Sequence, residues 1–116
     1  MPKLDESARN KSRVLELSDL IPRGCWTTYG ALGEVVYGRR QAARAVGNIL
    51  RAGGNDRTMH RILKAEGKIS ESWRGERGGP EECERRLRKE GVWDGSRDRA
   101  RLDAEIDAAG LRQLEG

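Results

Sequence analysis

The feature that most constrains this chain is a pair of short amphipathic segments meeting at Gly38. In the second, Ala43, Val46, Gly47 and Leu50 fall at i, i+3, i+4 and i+7, which places four small or apolar residues on one helix face. Gln41, Arg44, Asn48 and Arg51 fall on another face. A helix over about 40–51 is therefore apolar on one side and rich in hydrogen-bond donors on the other, and Gly53-Gly54 ends it. The segment before it offers Leu32, Val35 and Val36 as its apolar face, with Thr27 or Thr28 to cap its start and Gly38 to stop it. Two short helices joined by the Gly38-Arg39 turn predict a helix-turn-helix.

The flanking sequence has to complete the core. Val14, Leu17 and Leu20 or Ile21 repeat at helical spacing over about 7–20. Pro22 ends that helix, because a residue before proline is steered away from the α region. Cys25-Trp26-Thr27 reads as a short extended piece, and Lys68-Ile69-Ser70, after a Gly67 turn, as a short strand. Residues 75–80 read as a loop, and Pro80 suits the first turn of a helix over about 81–89 that stops at Gly91. Beyond Val92 two readings stand: Asp94-Gly95-Ser96 turns a hairpin, or Leu102, Ile106 and Ala109 line an amphipathic helix. The expected fold class is α/β in a loose sense: a mainly helical, winged-helix-like domain over residues 1–94 with a helix-turn-helix and little sheet. Residues 95–116 are expected to form a flexible C-terminal extension.

A chain of 116 residues is expected to form one domain and can bury a core of its own. With three Trp, two Tyr and no Phe, that core must come from Leu, Ile, Val and Ala. Cys25, Cys83 and the single His60 lack zinc-site spacing, so neither metal nor cofactor is expected. The N-terminus has no apolar signal core and no run approaches membrane-spanning length, so a reducing cytoplasm without membrane contact is the expected setting. Positive charge is concentrated in the middle third. Between Tyr29 and Lys64, seven basic residues (Arg39, Arg40, Arg44, Arg51, Arg57, Arg61 and Lys64) face Glu34 and Asp56, a net +5 against +4 for the whole chain. Such an excess fits a nucleic-acid surface or, more plainly, a solvated basic helix face.

Several motifs occur in a fixed order: Ile21-Pro22-Arg23-Gly24, Thr28-Tyr29-Gly30, Ala42-Ala43-Arg44-Ala45-Val46-Gly47, His60-Arg61-Ile62 and Gly67-Lys68-Ile69-Ser70. Together they resemble the DNA-binding domain of the O6-alkylguanine-DNA alkyltransferases over about residues 14–91. The resemblance implies that the donor-bearing helix enters the minor groove, where Ala42 and Ala43 permit close backbone approach. It implies that Arg44 is a finger filling the space of an extruded nucleotide, and that Tyr29 helps rotate that nucleotide out. Asn48 and Arg51 are then phosphate contacts. The plainer roles are a solvated Arg44, a Tyr29 ring in the core, and Ala42 and Ala43 as helix formers.

One departure decides the chemistry. The repair enzymes carry Pro-Cys-His-Arg where this chain has Thr58-Met59-His60-Arg61. A thioether has no proton to lose and cannot become the thiolate that accepts an alkyl group. The chain thus resembles the alkyltransferase-like branch, which also lacks that Cys and usually carries Trp there. The resemblance implies a lesion pocket of Tyr29, Met59, His60, Arg61, Trp73 and Arg74, with Met59 against the alkylated purine, Trp73 stacking, Arg74 at the polar edge and Arg61 bracing the loop or meeting the flanking backbone; a core Met59 and a core Trp73 are the plainer readings. It matches Glu90 to the partner of His60 in the enzymes' proton relay. With no thiol to serve, that pair reads as a structural hydrogen bond. The implied function is non-enzymatic recognition of O6-alkylguanine in double-stranded DNA by a monomer, with handover to nucleotide excision repair proteins. Two rivals stand: a regulator that reuses the fold without lesion specificity, and an alkyltransferase using Cys25 or Cys83.

Overall fold

Val14, Leu17 and Ile21 lie along one line of the first helix, α1 (Glu6–Asp19), and its exit, and all three are fully buried. Leu20, the other apolar residue of that turn, is exposed, so Ile21 completes the stripe. These side chains form one core with Ala31, Leu32 and Val36 of α2 (Tyr29–Tyr37) and Val46 and Leu50 of α3 (Ala43–Gly53). The computed structural model describes residues 6–116. Thr28 caps α2 by accepting a hydrogen bond from the Ala31 N–H, 2.9 Å. Gly38 ends α2 in the left-handed conformation at φ 80°. A 3-10 turn at Arg40–Ala42 then leads into α3, completing the helix-turn-helix. At the crossing, a Cβ on Gly33 would lie 3.0 Å from the Arg39 carbonyl oxygen and 3.3 Å from the Ala42 Cβ. Ala42 is consequently buried against α2 instead of facing outward.

Sheet is scarce. β1 (Thr27–Thr28) runs parallel to β2 (Ile62–Leu63), with Thr27 opposite Ile62 and Thr28 opposite Leu63. The extended piece at Trp26 continues as a bridge to Glu105, whereas residues 68–70 form no strand. α4 (Pro80–Lys89) begins with Pro80 in its first turn and is followed by Gly91 at φ 78°. It contributes Cys83 and Leu87 to a second cluster with Trp26, Leu63, Trp73, Val92 and Ala100. The hairpin reading of residues 94–96 holds: β3 (Trp93–Asp94) and β4 (Arg99–Ala100) pair antiparallel as a small wing. Gly67 touches that wing. Its φ is 80°, and a Cβ there would lie 2.8 Å from the Ala100 carbonyl oxygen.

The C-terminal segment corrects the expected boundary at 94. Residues 95–116 are built into the domain. The Trp26 N–H donates to the Ala104 carbonyl and its Nε1–H to the Arg101 carbonyl, while the Ile106 N–H donates to the Trp26 carbonyl. α5 (Ala108–Glu115), capped by Asp107, buries Leu111 completely in the first core. Arg13 of α1 holds the Glu115 carboxylate with both Nε and Nη2. The alternative helix through Leu102, Ile106 and Ala109 does not form, and Leu102 is exposed.

Candidate nucleic-acid interface

The outward face of α3 carries Arg44, Asn48 and Arg51, all exposed. Arg44 has no hydrogen bond or ion pair within the described residues and is free to engage a ligand. It lines a groove of about 340 Å³ with Tyr29, Ala43, Gly47, Arg51, Lys64 and Ser70. Tyr29 is half-buried at the start of α2, and no described residue hydrogen-bonds its hydroxyl. Burial pushes its phenol up to about 12, with Arg51 pulling weakly the other way, so it meets a ligand as a neutral O–H donor. Ala43 lies on this groove, whereas Ala42 does not, for the packing reason above.

Arg51 forms the boundary between this groove and the next. Its Nη1 donates to Ser72 Oγ at 3.2 Å, and its Nη2 donates to Asn48 Oδ1. Beyond it lies a second groove, also of about 340 Å³, lined by Arg51, Gly54, Met59, Arg74 and Gly75. Met59 sits half-buried on the 3-10 turn Met59–Arg61, packed against the second core and lining the groove. Arg74, exposed and donating to the Trp73 carbonyl at 2.7 Å, borders the same space. The pocket expected from sequence is therefore divided: Met59 and Arg74 share one groove, and Tyr29 stands in its neighbour across Arg51.

Three other expected pocket residues face elsewhere. Trp73 is 3% exposed and belongs to the second core. Its Nε1–H donates to the Met59 carbonyl at 3.2 Å, and Arg86 lies over its ring at 5.5 Å. It holds the Met59 turn from beneath and is not a surface for stacking a base. His60 and Arg61 turn toward Glu90. The His60 Nε2 lies 2.7 Å from Glu90 Oε2. Arg61 Nη2 donates to the same oxygen at 2.8 Å, Arg61 Nη1 to the Ile21 carbonyl, and the Gly24 N–H to Glu90 Oε1. Burial alone would raise the Glu90 carboxyl. The Arg61, His60 and Gly24 hydrogen bonds outweigh it and hold the group at about 2. Burial also pulls His60 below its ordinary value, against the opposing pull of Glu90. The neutral imidazole then donates from Nε2 to the carboxylate, leaving Nδ1 without a partner among the described residues. The cluster clamps the Met59 turn to the α1 exit and the end of α4.

Sequence reasoning missed two supports of the site. Ser72, which bore no motif, anchors Arg51. Asp56 accepts from Arg86 Nη2 at 3.1 Å and from the Glu76 N–H, tying α4 to the loop before Met59. The Glu82–Arg86 spacing of i,i+4 was the available signal, and Arg86 Nε does donate to Glu82 at 2.9 Å. Cys83 is buried and its S–H points at the His60 carbonyl, 3.6 Å away. Burial, only partly offset by Arg86, pushes its thiol up to about 12. No cluster of three or more His, Cys, Asp or Glu able to hold a metal occurs among the described residues, and none of their helices is long and apolar enough to cross a membrane.

Residues 9–92 match the family described as 6-O-methylguanine DNA methyltransferase, DNA binding domain. Among solved structures, the chain is similar to S. pombe Atl1 in complex with damaged DNA containing O6-carboxymethylguanine. The TM-score is 0.62 and the sequence identity 26%, covering 85% of this chain and 89% of that one. The curated proteins gave no match. With most of its length matched, and with the helix-turn-helix, the wing and the Arg44 groove in place, the chain belongs to the family of the 6-O-methylguanine DNA methyltransferase DNA-binding domain and is similar to an alkyltransferase-like protein.

Proposed function

We propose that this protein recognises O6-alkylguanine in double-stranded DNA by extruding the modified nucleotide, and that it leaves the alkyl group in place. The observation that carries this reading is the unpaired Arg44 on the outer face of α3, across a groove from Tyr29 and next to the Met59 groove. In this reading α3 enters the minor groove, and Arg44 fills the space of the extruded base as a planar cation that stacks and hydrogen-bonds together. Tyr29 donates to the backbone of the rotating nucleotide. The base passes Arg51 into the groove of Met59 and Arg74, where the thioether meets the alkyl group. Extrusion costs a few kcal/mol and less for a weakly paired lesion, which itself favours damaged sites. Similarity to a protein seen with damaged DNA supports the ligand class.

Alkyl transfer lacks its nucleophile in this reading. Met59 stands at the position where the repair enzymes carry Cys, and Cys83 is held as a buried thiol. A binder that performs no chemistry hands the lesion on, and nucleotide excision repair is the handover we infer from the family resemblance.

The test is Arg44→Ala, with binding measured on matched duplexes containing guanine or O6-methylguanine. Loss of one stacking contact of ~1–3 kcal/mol predicts a fall in the affinity for methylated DNA of about tenfold. Affinity for the unmodified duplex falls far less. Unchanged preference in the variant refutes the finger role. Mass spectrometry of wild type after incubation with methylated DNA is expected to show no added methyl, and an adduct on Cys25 or Cys83 refutes the non-enzymatic reading.

A further inference from the structure

A third cavity, of about 250 Å³, opens where the loop before Met59 meets the α1 exit and the end of α4. Its two acids are already engaged. Glu90 is held by Arg61, His60 and the Gly24 N–H, and Asp56 by Arg86 and the Glu76 N–H. Its rim is different. Arg23, Arg57 and Lys89 are all exposed, and none has a carboxylate partner among the described residues. Arg23 Nη2 donates to the Lys89 carbonyl at 3.3 Å, which keeps two cations side by side and covers the negative end of α4. With Arg61 and Arg86 behind them, five cations surround two carboxylates, leaving a net charge of +3 on a small concave surface.

We propose that this cavity binds a phosphate group of the DNA backbone, at a place separate from the groove beneath Arg44. The chemistry fits a phosphate: three long cationic side chains, none with a carboxylate partner among the described residues, converge on a recess with room for an anion and its water. Position favours a backbone phosphate over a free anion. Asp56 borders both this cavity and the Met59 groove, and Arg51 borders both the Met59 groove and the Arg44 groove. The three recesses thus form one band, and the cationic rim stands at the end away from Arg44. A strand whose nucleotide enters the Met59 groove can continue across that rim. The proposal rests on the DNA-binding reading and adds a second anchoring point that fixes the footprint without reading the lesion.

The experiment compares salt dependence on duplexes of about two helical turns (~20 base pairs) for wild type and the double variant Arg57→Gln, Lys89→Gln. Each backbone phosphate neutralised contributes a slope of about 0.9 in log affinity against log salt. The double variant is therefore expected to flatten the slope by about 0.9, with the preference for O6-methylguanine over guanine kept within about twofold, since the rim is not lesion-reading. Arg9→Gln, Lys11→Gln, two exposed cations of α1, is the control for total charge and is expected to change the slope far less. An unchanged slope in the rim variant, or an equal change in the control, overturns the proposal. A second arm titrates the DNA-free protein with inorganic phosphate at fixed ionic strength, followed by NMR. Saturable shifts confined to the rim, together with an unchanged DNA slope, would make the cavity a free-anion site and overturn the backbone assignment. Failure of wild type to prefer methylated DNA would refute the lesion reading alone, because the slope comparison is independent of it.

Discussion

Replacing Glu90 by Gln tests whether the His60–Glu90–Arg61 cluster is the clamp described above. The wild-type carboxylate accepts from Arg61, His60 and the Gly24 N–H while its side chain is only 4% exposed. An amide of the same shape keeps one acceptor oxygen but leaves the half-buried Arg61 guanidinium without its counter-charge. Removing one member of a buried, hydrogen-bonded ion pair costs about 3 kcal/mol. For a chain of 116 residues that corresponds to a drop in Tm of about 12 °C at neutral pH. The sign of the pH dependence follows from the depressed carboxyl. Its stabilising contribution is complete above the ordinary value of 4.5 and is lost as the pH falls toward about 2. Buried His60, lowered in the folded state, costs further stability as the pH falls below 6.5, and more in the variant, which lacks the opposing pull of Glu90. Thermal unfolding of wild type and Glu90→Gln, followed by circular dichroism between pH 7 and pH 2, is the assay. The gap between the two is expected to be open from neutral pH down to the ordinary carboxyl range, and to narrow only as the pH falls from there toward ~2. A variant melting within about 2 °C of wild type at neutral pH, or a gap that does not narrow in acid, refutes the clamp.

Three further outcomes follow from the packing. Leu111→Ala is expected to lower unfolding free energy by about 3 kcal/mol in urea titrations, because its side chain is fully buried in the main core; a change under about 0.5 kcal/mol would mean that α5 contributes nothing to the core. Gly67→Ala forces a side chain into a positive-φ position against the Ala100 carbonyl, so the wing is expected to lose about 2 kcal/mol, readable in the same titration. Tyr29→Phe removes a hydroxyl without a described protein partner: stability changes by less than about 0.5 kcal/mol, while affinity for methylated DNA, measured by anisotropy, falls several-fold.

What was legible in the sequence and what was not divide along physical lines. Helices announced by a stripe, a cap and a stop were readable, because Val14-Leu17-Ile21, Thr28, Gly38 and Pro80 act locally. The parallel pairing of β1 with β2 was not, since a two-residue strand is defined by a partner 35 positions away, as Thr27 and Ile62 are. Nor was α5: it buries only Ala108 and Leu111 in a charged stretch, and Leu102 nearby misled because an exposed leucine looks the same in sequence as a buried one. At the site, the His60–Glu90 bond was legible through the family resemblance. Whether Trp73 turns inward or stacks on a base stayed open in the sequence, because the choice depends on Arg86 and the Met59 carbonyl, both distant along the chain. Residue types gave the chemistry of the interface; which residues share a groove is a property of the loop around Met59, held by Asp56–Arg86.

The measurement closest to the central claim is anisotropy binding of the wild-type protein to two short duplexes that differ only in guanine or O6-methylguanine at one position, at one moderate salt concentration, with the methyl group assayed afterwards. Clear preference for the methylated duplex and full retention of its methyl group are expected. Equal binding to the two duplexes, or loss of the methyl group, would contradict the claim.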